Sequence, residues 1–367
     1  MLLAAVLLQD RDATGPDDEG AHTGITLAHD VLPRGVALLH GRVRDRVERL
    51  RVEVLKELNA FQEIGVRRHG RHHSVTVGIR IEVASDIAAC AATVPIQEEI
   101  WSGDVVVPPQ LLLATLHNGA FVALGYVDGD ERAAGFVFGF LGIYDYHFRH
   151  HSHMLAVRPA YRGTGLAVAL KQAQRDHCLD QGIEIMAWTM DPLEARNARF
   201  NFAKLGTYAR EYHRDFYGAM PDKLNAGLPS DRLYVEWPIG TDRAQRRLAG
   251  EDAPPLEQAE AEGIRYLLRS AASGPTPQEP PIAESHLLLE IPRAFQETKR
   301  ADPALALAWR TAARDAFEAA FAQGYAAVEF LRSADGRGAY LLVRQPARPG
   351  VAGAAGAGAP AARSALR

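Results

Sequence analysis

Apolar residues fall along this chain in several distinct rhythms, and the changes between them divide it. Residues 9–40 keep no steady period and include the acidic, turn-rich Gly15-Pro-Asp-Asp-Glu-Gly20, so residues 1–40 are expected to be poorly ordered. From Val43 the apolar positions Val43, Val47, Leu50, Val54, Leu58 and Phe61 recur at steps of three and four. That spacing predicts an amphipathic helix within residues 41–73. The repeat is too short for a coiled coil and reads as a helix lying on its own domain.

Residues 74–240 are densely patterned. Alternation predicts a strand over 75–83, and a helix follows over 87–100. Strands at 121–127 and 133–140 flank Asp128-Gly-Asp-Glu131, a hairpin signal. A further strand at 151–158 leads into an amphipathic helix over 165–181, with Leu166, Leu170, Ala173 and His177 on one face and Gly182 as its stop. Then come a strand at 183–189, a helix at 193–205 ending on Gly206, and a strand at 233–238. Antiparallel strands followed by a strand–helix–strand–helix run make a mixed α/β (α+β) sheet flanked by helices.

Residues 241–282 read as a helix and a Pro-rich linker, ending in Ala271-Ala-Ser-Gly-Pro-Thr-Pro-Gln-Glu-Pro-Pro281. Residues 283–345 read as a small α/β module: a strand at 286–291, a long helical stretch over 293–323, and two strands around Asp335-Gly-Arg-Gly338. A module of this size packs on the larger block rather than standing alone. The Ala/Gly/Pro-rich tail, 346–367, is expected to be disordered.

Composition narrows the class. The 367 residues are 47% hydrophobic and 23% charged, with a net charge of −4, so no basic excess marks a nucleic-acid partner. The opening Met1-Leu-Leu-Ala-Ala-Val-Leu-Leu8 is far below the roughly 20 apolar residues of a membrane span and lacks a charged start. Cys90 and Cys178 are the only cysteines, which excludes a disulfide framework and fits a reducing, cytoplasmic setting.

The segment richest in chemistry is Ser152-His-Met-Leu-Ala-Val-Arg-Pro-Ala-Tyr-Arg-Gly-Thr-Gly-Leu-Ala167, which runs straight into the predicted helix. A strand feeds the loop Arg162, Gly163, Thr164, Gly165, and a helix starts there. Such a loop is an anion cradle: its glycines admit close backbone approach, while first-turn amides and the helix dipole point at the ligand. A pyrophosphate is the natural occupant, with Arg162 as an added cation. His147, His150, His151 and His153 invite a metal reading, but no neighbouring Cys or fixed helical spacing supports one, and none is expected.

This stretch resembles the acyl-CoA-binding motif of the GNAT N-acyltransferases, Gln/Arg-x-x-Gly-x-Gly/Ala, met here by Arg162, Gly165 and Ala167. The resemblance covers roughly residues 74–240. Gln97-Glu-Glu-Ile-Trp101, His151-Ser-His-Met154, Asp191-Pro-Leu-Glu-Ala-Arg-Asn-Ala-Arg199, the Leu228-Pro-Ser-Asp-Arg232 turn and the Trp309 helix are similar to a less studied branch with a C-terminal extension. It implies a GNAT-like, mostly antiparallel sheet and a cofactor that is acetyl-CoA or another acyl-CoA, succinyl-CoA included, with no metal.

The resemblance also assigns roles. Leu155, Ala156 and Val157 should offer backbone groups to the pantetheine arm. Amides of Gly163, Thr164, Gly165, Leu166 and Ala167, with Arg162, should hold the pyrophosphate, and Asn197 should contact the cofactor. Relatives place near the sulfur a Tyr that protonates the leaving thiolate; here Phe202 occupies that position in Asn201-Phe-Ala-Lys-Leu-Gly-Thr207. Phe cannot donate a proton, so the acid is absent, replaced by water, or one of Tyr208, Tyr212 and Tyr217. An amine must be neutral to attack, which calls for a base. His153 and His151, on one face of an unbulged strand, are candidates, with Glu98 and Glu99 behind them. Trp101, Arg196 and Arg199 read as acceptor-pocket residues or as core and solvated helix face.

The branch implies direct N-acylation, including N-succinylation, of an amino acid or similar small amine. A protein lysine or N-terminal acetyltransferase and a non-catalytic acyl-CoA-binding module are the alternatives. Monomer and homodimer both stay open, with no nucleic-acid or membrane partner.

Overall fold

A computed structural model describes residues 78–101, 106–144, 147–220, 222, 225–279 and 284–344. All belong to one compact unit, Phe61–Arg367. The helix expected at 41–73, the poor order expected of 1–40 and the disorder expected of 346–367 fall on residues outside those described.

The chain begins with β1 (Ile79–Val83), α1 (Ile87–Ala91), α2 (Val94–Trp101) and α3 (Pro109–Leu116), then β2 (Phe121–Val127), β3 (Gly135–Tyr144) and β4 (His147–Val157). It continues through α4 (Leu166–Asp180), β5 (Ile185–Met190), α5 (Ala195–Ala198) with a wider π-helical turn Arg199–Leu205, β6 (Tyr208–His213) and β7 (Arg232–Pro238). The expected single helix over 87–100 is two, because Thr93 turns its hydroxyl back to the Cys90 carbonyl (2.8 Å) where α1 ends. The other side of the sheet is covered by α4, whose Leu166 and Leu170 pack on Phe121, Ala123 and Val137.

The remaining elements are α6 (Asp242–Leu248), α7 (Leu256–Ala261), β8 (Arg265–Ala271), β9 (Gly274–Pro277), β10 (His286–Ile291), α8 (Phe295–Ala301), α9 (Pro303–Ala322), β11 (Tyr325–Arg332) and β12 (Gly338–Arg344). Two expectations are corrected here. The Pro-rich segment read as a linker is the β8–β9 hairpin, with Ala271 paired to Gly274. Pro275 and Pro277 fit because β9 is an edge strand, where a missing donor costs nothing. The helical stretch 293–323 breaks at Asp302-Pro303, where Asp302 caps α9 through the Leu305 amide (2.9 Å) and proline takes the first helical position.

One twelve-stranded sheet runs in the order β1-β2-β3-β4-β5-β7-β6-β11-β12-β10-β8-β9. Among the described strands, only β4 with β5 and β8 with β10 run parallel. The C-terminal module therefore extends the sheet of the first half, joined at Ala327↔Ala209. One hydrophobic cluster crosses that joint, packing Trp188, Phe202 and Trp237 with Trp309, Phe317 and Tyr340. Arg310 clasps Asp191 with two bonds (2.9 and 2.6 Å), and Arg314 clasps Asp231 likewise (2.8 and 2.9 Å).

Candidate active site

The site is built where β4 leaves β5. The two strands pair at only two positions, His150↔Met186 and His151↔Ala187; from Ser152 on, no described residue of β4 pairs with β5. The parting coincides with a bulge: three steps along β4, from His151 to Met154, span the register that Phe138 to Phe140 cover on β3 in two. Gly139 permits it, because a Cβ there would collide with His150 Nε2 and Gln174 Nε2.

The bulge re-aims the side chains. His151 and His153 share one face, their rings 6.0 Å apart and both against Phe140. After His153 the alternation restarts out of phase, so Met154 and Ala156 enter the core on the α1–α3 side while Leu155 and Val157 turn toward α4. The strand is bulged where none was expected, yet the two histidines still stand together. Burial, aided by the nearby charges of His153 and Lys171, pushes His151 down to about 4. Partial desolvation holds His153 below its ordinary value, although it keeps solvent access. Both rings are therefore neutral near pH 7 and able to accept a proton.

At the far end of β4 the loop turns through Gly163 (φ 89°) and Gly165 (φ 96°), left-handed conformations that favour glycine. Nothing lies within 4 Å of where a Gly163 side chain would be. Gly165 caps α4 without a side-chain bond, and the first turn holds no acid. Thr164 donates to the Tyr161 carbonyl (2.8 Å) and accepts from the Leu166 amide (3.4 Å), which fixes the loop. Exposed Arg162 reaches back to the Val157 carbonyl (3.4 Å). Open glycines, a helix start with no side-chain cap at Gly165 and a guanidinium that no described carboxylate pairs fit a pyrophosphate. The Leu166 side chain is core, so its part there is its amide, whereas Ala167 is half-buried.

The other expected residues divide. Exposed Tyr217 is brought to the mouth: its hydroxyl lies 2.8 Å from Thr189 Oγ1, and Thr189 is two residues beyond the last paired position on β5. Tyr208 is buried, and Tyr212 is held by Asp231 (2.8 Å). Glu98 is exposed on α2 with no hydrogen-bond or ion-pair partner among the described residues, and Glu99 pairs with Arg158. Asn197 is exposed on α5. Phe202 requires a correction: it is fully buried, edge-on to Tyr340 (5.3 Å), and offers a ligand no surface. The π-helical turn Arg199–Leu205 that carries it turns its ring into the core. Trp101 packs edge-on to Phe136 (6.4 Å). Among the described residues no three His, Cys, Asp or Glu side chains are grouped to hold a metal ion.

Sequence reasoning missed the other side of the opening. Lys171 of α4 is 2% exposed, donates to Ser152 Oγ (2.5 Å) and sits 3.7 Å over the Trp188 ring. Gln174 accepts from Ser152 (2.8 Å) and its Nε2 meets His150 Nε2 at 3.1 Å. Burial pushes Lys171 down to about 7 and His150 to about 3, and it raises the Cys178 thiol to about 12. The available signal was Lys171, Gln174 and Cys178 at steps of three and four, polar groups on a helix face that had to be buried. The open face beyond β5 carries Arg149 ion-paired with Glu236, and Tyr144 donating to Glu211 (2.8 Å) while stacked on Tyr234 (5.4 Å).

Residues 67–206 match the sequence model of the acetyltransferase (GNAT) family. No curated protein matches the chain in sequence. Among solved structures, a ribosomal-protein alanine N-acetyltransferase from Escherichia coli is 15% identical with a TM-score of 0.36, over 45% of this chain and 96% of that one. A NatC complex bound to a Gag peptide and CoA gives 16% and 0.36 over 44% and 98%. A nourseothricin acetyltransferase gives 15% and 0.33 over 44% and 98%.

Proposed function

Residues 67–206 are an acetyltransferase domain of the GNAT family, and from that premise we propose that the chain transfers an acetyl or succinyl group from CoA directly to the primary amine of an amino acid or similar small molecule. The observation that carries this is the opening between β4 and β5, with a neutral histidine pair at its apex and an uncapped glycine loop at its far end.

Bound acyl-CoA supplies the activated acyl carbon. The free edge of β4 from Ser152 to Val157 accepts an extended arm as an added strand would. Amides of Gly163 to Ala167 and the Arg162 guanidinium hold the phosphates. His153, or His151 behind it, takes the proton from the attacking amine at a ring nitrogen. Holding amine and acyl carbon together removes the entropy of their encounter. No acyl-enzyme is involved, since Cys90 and Cys178 are both buried. What supports a small zwitterionic acceptor is the open face next to the histidines, where Arg149, Glu211 and Glu236 stand among Tyr144 and Tyr234.

The test is calorimetric binding of acetyl-CoA and succinyl-CoA, followed by thiol release across free amino acids and short peptides. Binding with release on amino acids is expected. Release only on peptides would move the acceptor to protein, binding without release would leave a non-catalytic module, and no binding would overturn the proposal.

A further inference from the structure

Lys171 is an anomaly that the reading above leaves unused. A buried lysine ordinarily has a carboxylate beside it, because an uncompensated charge in the interior is expensive. Lys171 has none among the described residues. The groups facing it are Ser152, His150 and His151 from β4, Gln174 and Cys178 from α4, and the Trp188 ring from β5, with His177 behind His150. Its one close bond runs to Ser152, and Ser152 is the first residue of β4 past the last pairing with β5, on the bulge itself. The ammonium is thus one hydroxyl away from the apex of the opening. Phe202, which the resemblance sets at the relatives' tyrosine, is turned into the core against Tyr340 and supplies no acid.

Resting on the acyltransferase reading, we infer that Ser152 is the acid that protonates the departing thiolate and that Lys171 is the positioning residue that resupplies its proton. The C–N bond forms and the C–S bond breaks. Ser152 Oγ gives its proton to sulfur as Lys171 Nζ gives one to Oγ, and the proton lost by the amine goes to His153. The charged histidine and the neutral lysine return to their starting states by exchange with solvent. At rest the Ser152 hydroxyl donates to Gln174, whose own amide meets His150, so for the transfer it turns from Gln174 Oε1 to the sulfur while Lys171 stays its donor. Burial that brings the lysine down to about 7 makes it a competent donor near neutrality.

The experiment compares wild type with Lys171→Met and Ser152→Ala, measuring acetyl-CoA affinity and kcat at saturating acceptor from pH 5.5 to 9. Expected are unchanged affinity and a kcat about 100-fold lower for Lys171→Met at pH 6. The wild-type to mutant ratio should be constant below about 7 and fall toward one above it, since only protonated Lys171 acts. Acceptor ionisation cancels in that ratio. Ser152→Ala, which removes only a hydroxyl, should show the same trend and keeps the test open if Lys171→Met does not fold. A ratio flat across pH, with wild type turning over, overturns the inference alone. An acyl group found on Lys171 by mass spectrometry also overturns it, by making that residue an acceptor. No thiol release by wild type overturns the inference together with the acyltransferase reading.

Discussion

His153 and Arg162 perform separable tasks, and their substitutions should separate in measurement. His153→Gln is expected to lower kcat about 100-fold while leaving acetyl-CoA affinity unchanged, because it removes a base and no phosphate contact. Arg162→Ala should do the reverse, weakening CoA binding roughly tenfold or more through loss of a charge-assisted bond. Unchanged affinity in that variant would place the pyrophosphate elsewhere. His150 adds a stability prediction. Its folded value of about 3 lies below the usual 6.5, so the unfolded chain binds its proton first. Stability is then complete above 6.5 and is lost as pH falls toward 3, by about 1.4 kcal/mol per unit. Urea midpoints from pH 6.5 to 4 should show that slope, and His150→Asn should flatten it. The loop glycines and the histidine pair were readable because their chemistry is local. Lys171 was not, since its meaning depends on what α4 is packed against.

Strand β4 and helix α4 form the unit on which the site depends. The strand at 286–291 and the helix beginning at Leu166 were readable from a short apolar run and from the Gly-stopped apolar stripe. The bulge in β4 was not, because nothing in His151-Ser-His-Met154 breaks the period; its signal lies on the neighbouring strand, in Gly139. Gly139→Ala should therefore destabilise by about 1–3 kcal/mol, since a methyl there meets His150, Gln174 and the His151 carbonyl. A denaturation midpoint equal to wild type would show that the bulge does not need this glycine. The β8–β9 hairpin escaped notice for the opposite reason. Its prolines are breakers in a central strand and harmless at an edge, and edge position is a property of the whole sheet.

The two halves of the described chain share one core and cannot be expected to fold separately. A chain ending at residue 240 would expose Phe202, Leu205 and Trp188, which now pack with Trp309, Phe317 and Tyr340. Such a truncation should be insoluble or show no cooperative melting. Asp231→Ala should cost about 3–5 kcal/mol, because it strips a fully buried carboxylate from Arg314, Tyr212 and the Asp215 amide at once. A loss below 1 kcal/mol by urea titration would show that the two halves do not depend on that clasp.

The joint at Ala209 and Ala327 also bears on aggregation. Strand β6 would otherwise end the sheet as a row of unpaired amides and carbonyls, ready to template a neighbouring chain; the polypeptide seals it with its own β11. At the opposite border, Pro275 and Pro277 deprive β9 of donors and blunt it in the same sense. Among the described strands only β1 remains as an edge along which sheets could grow from one molecule to the next.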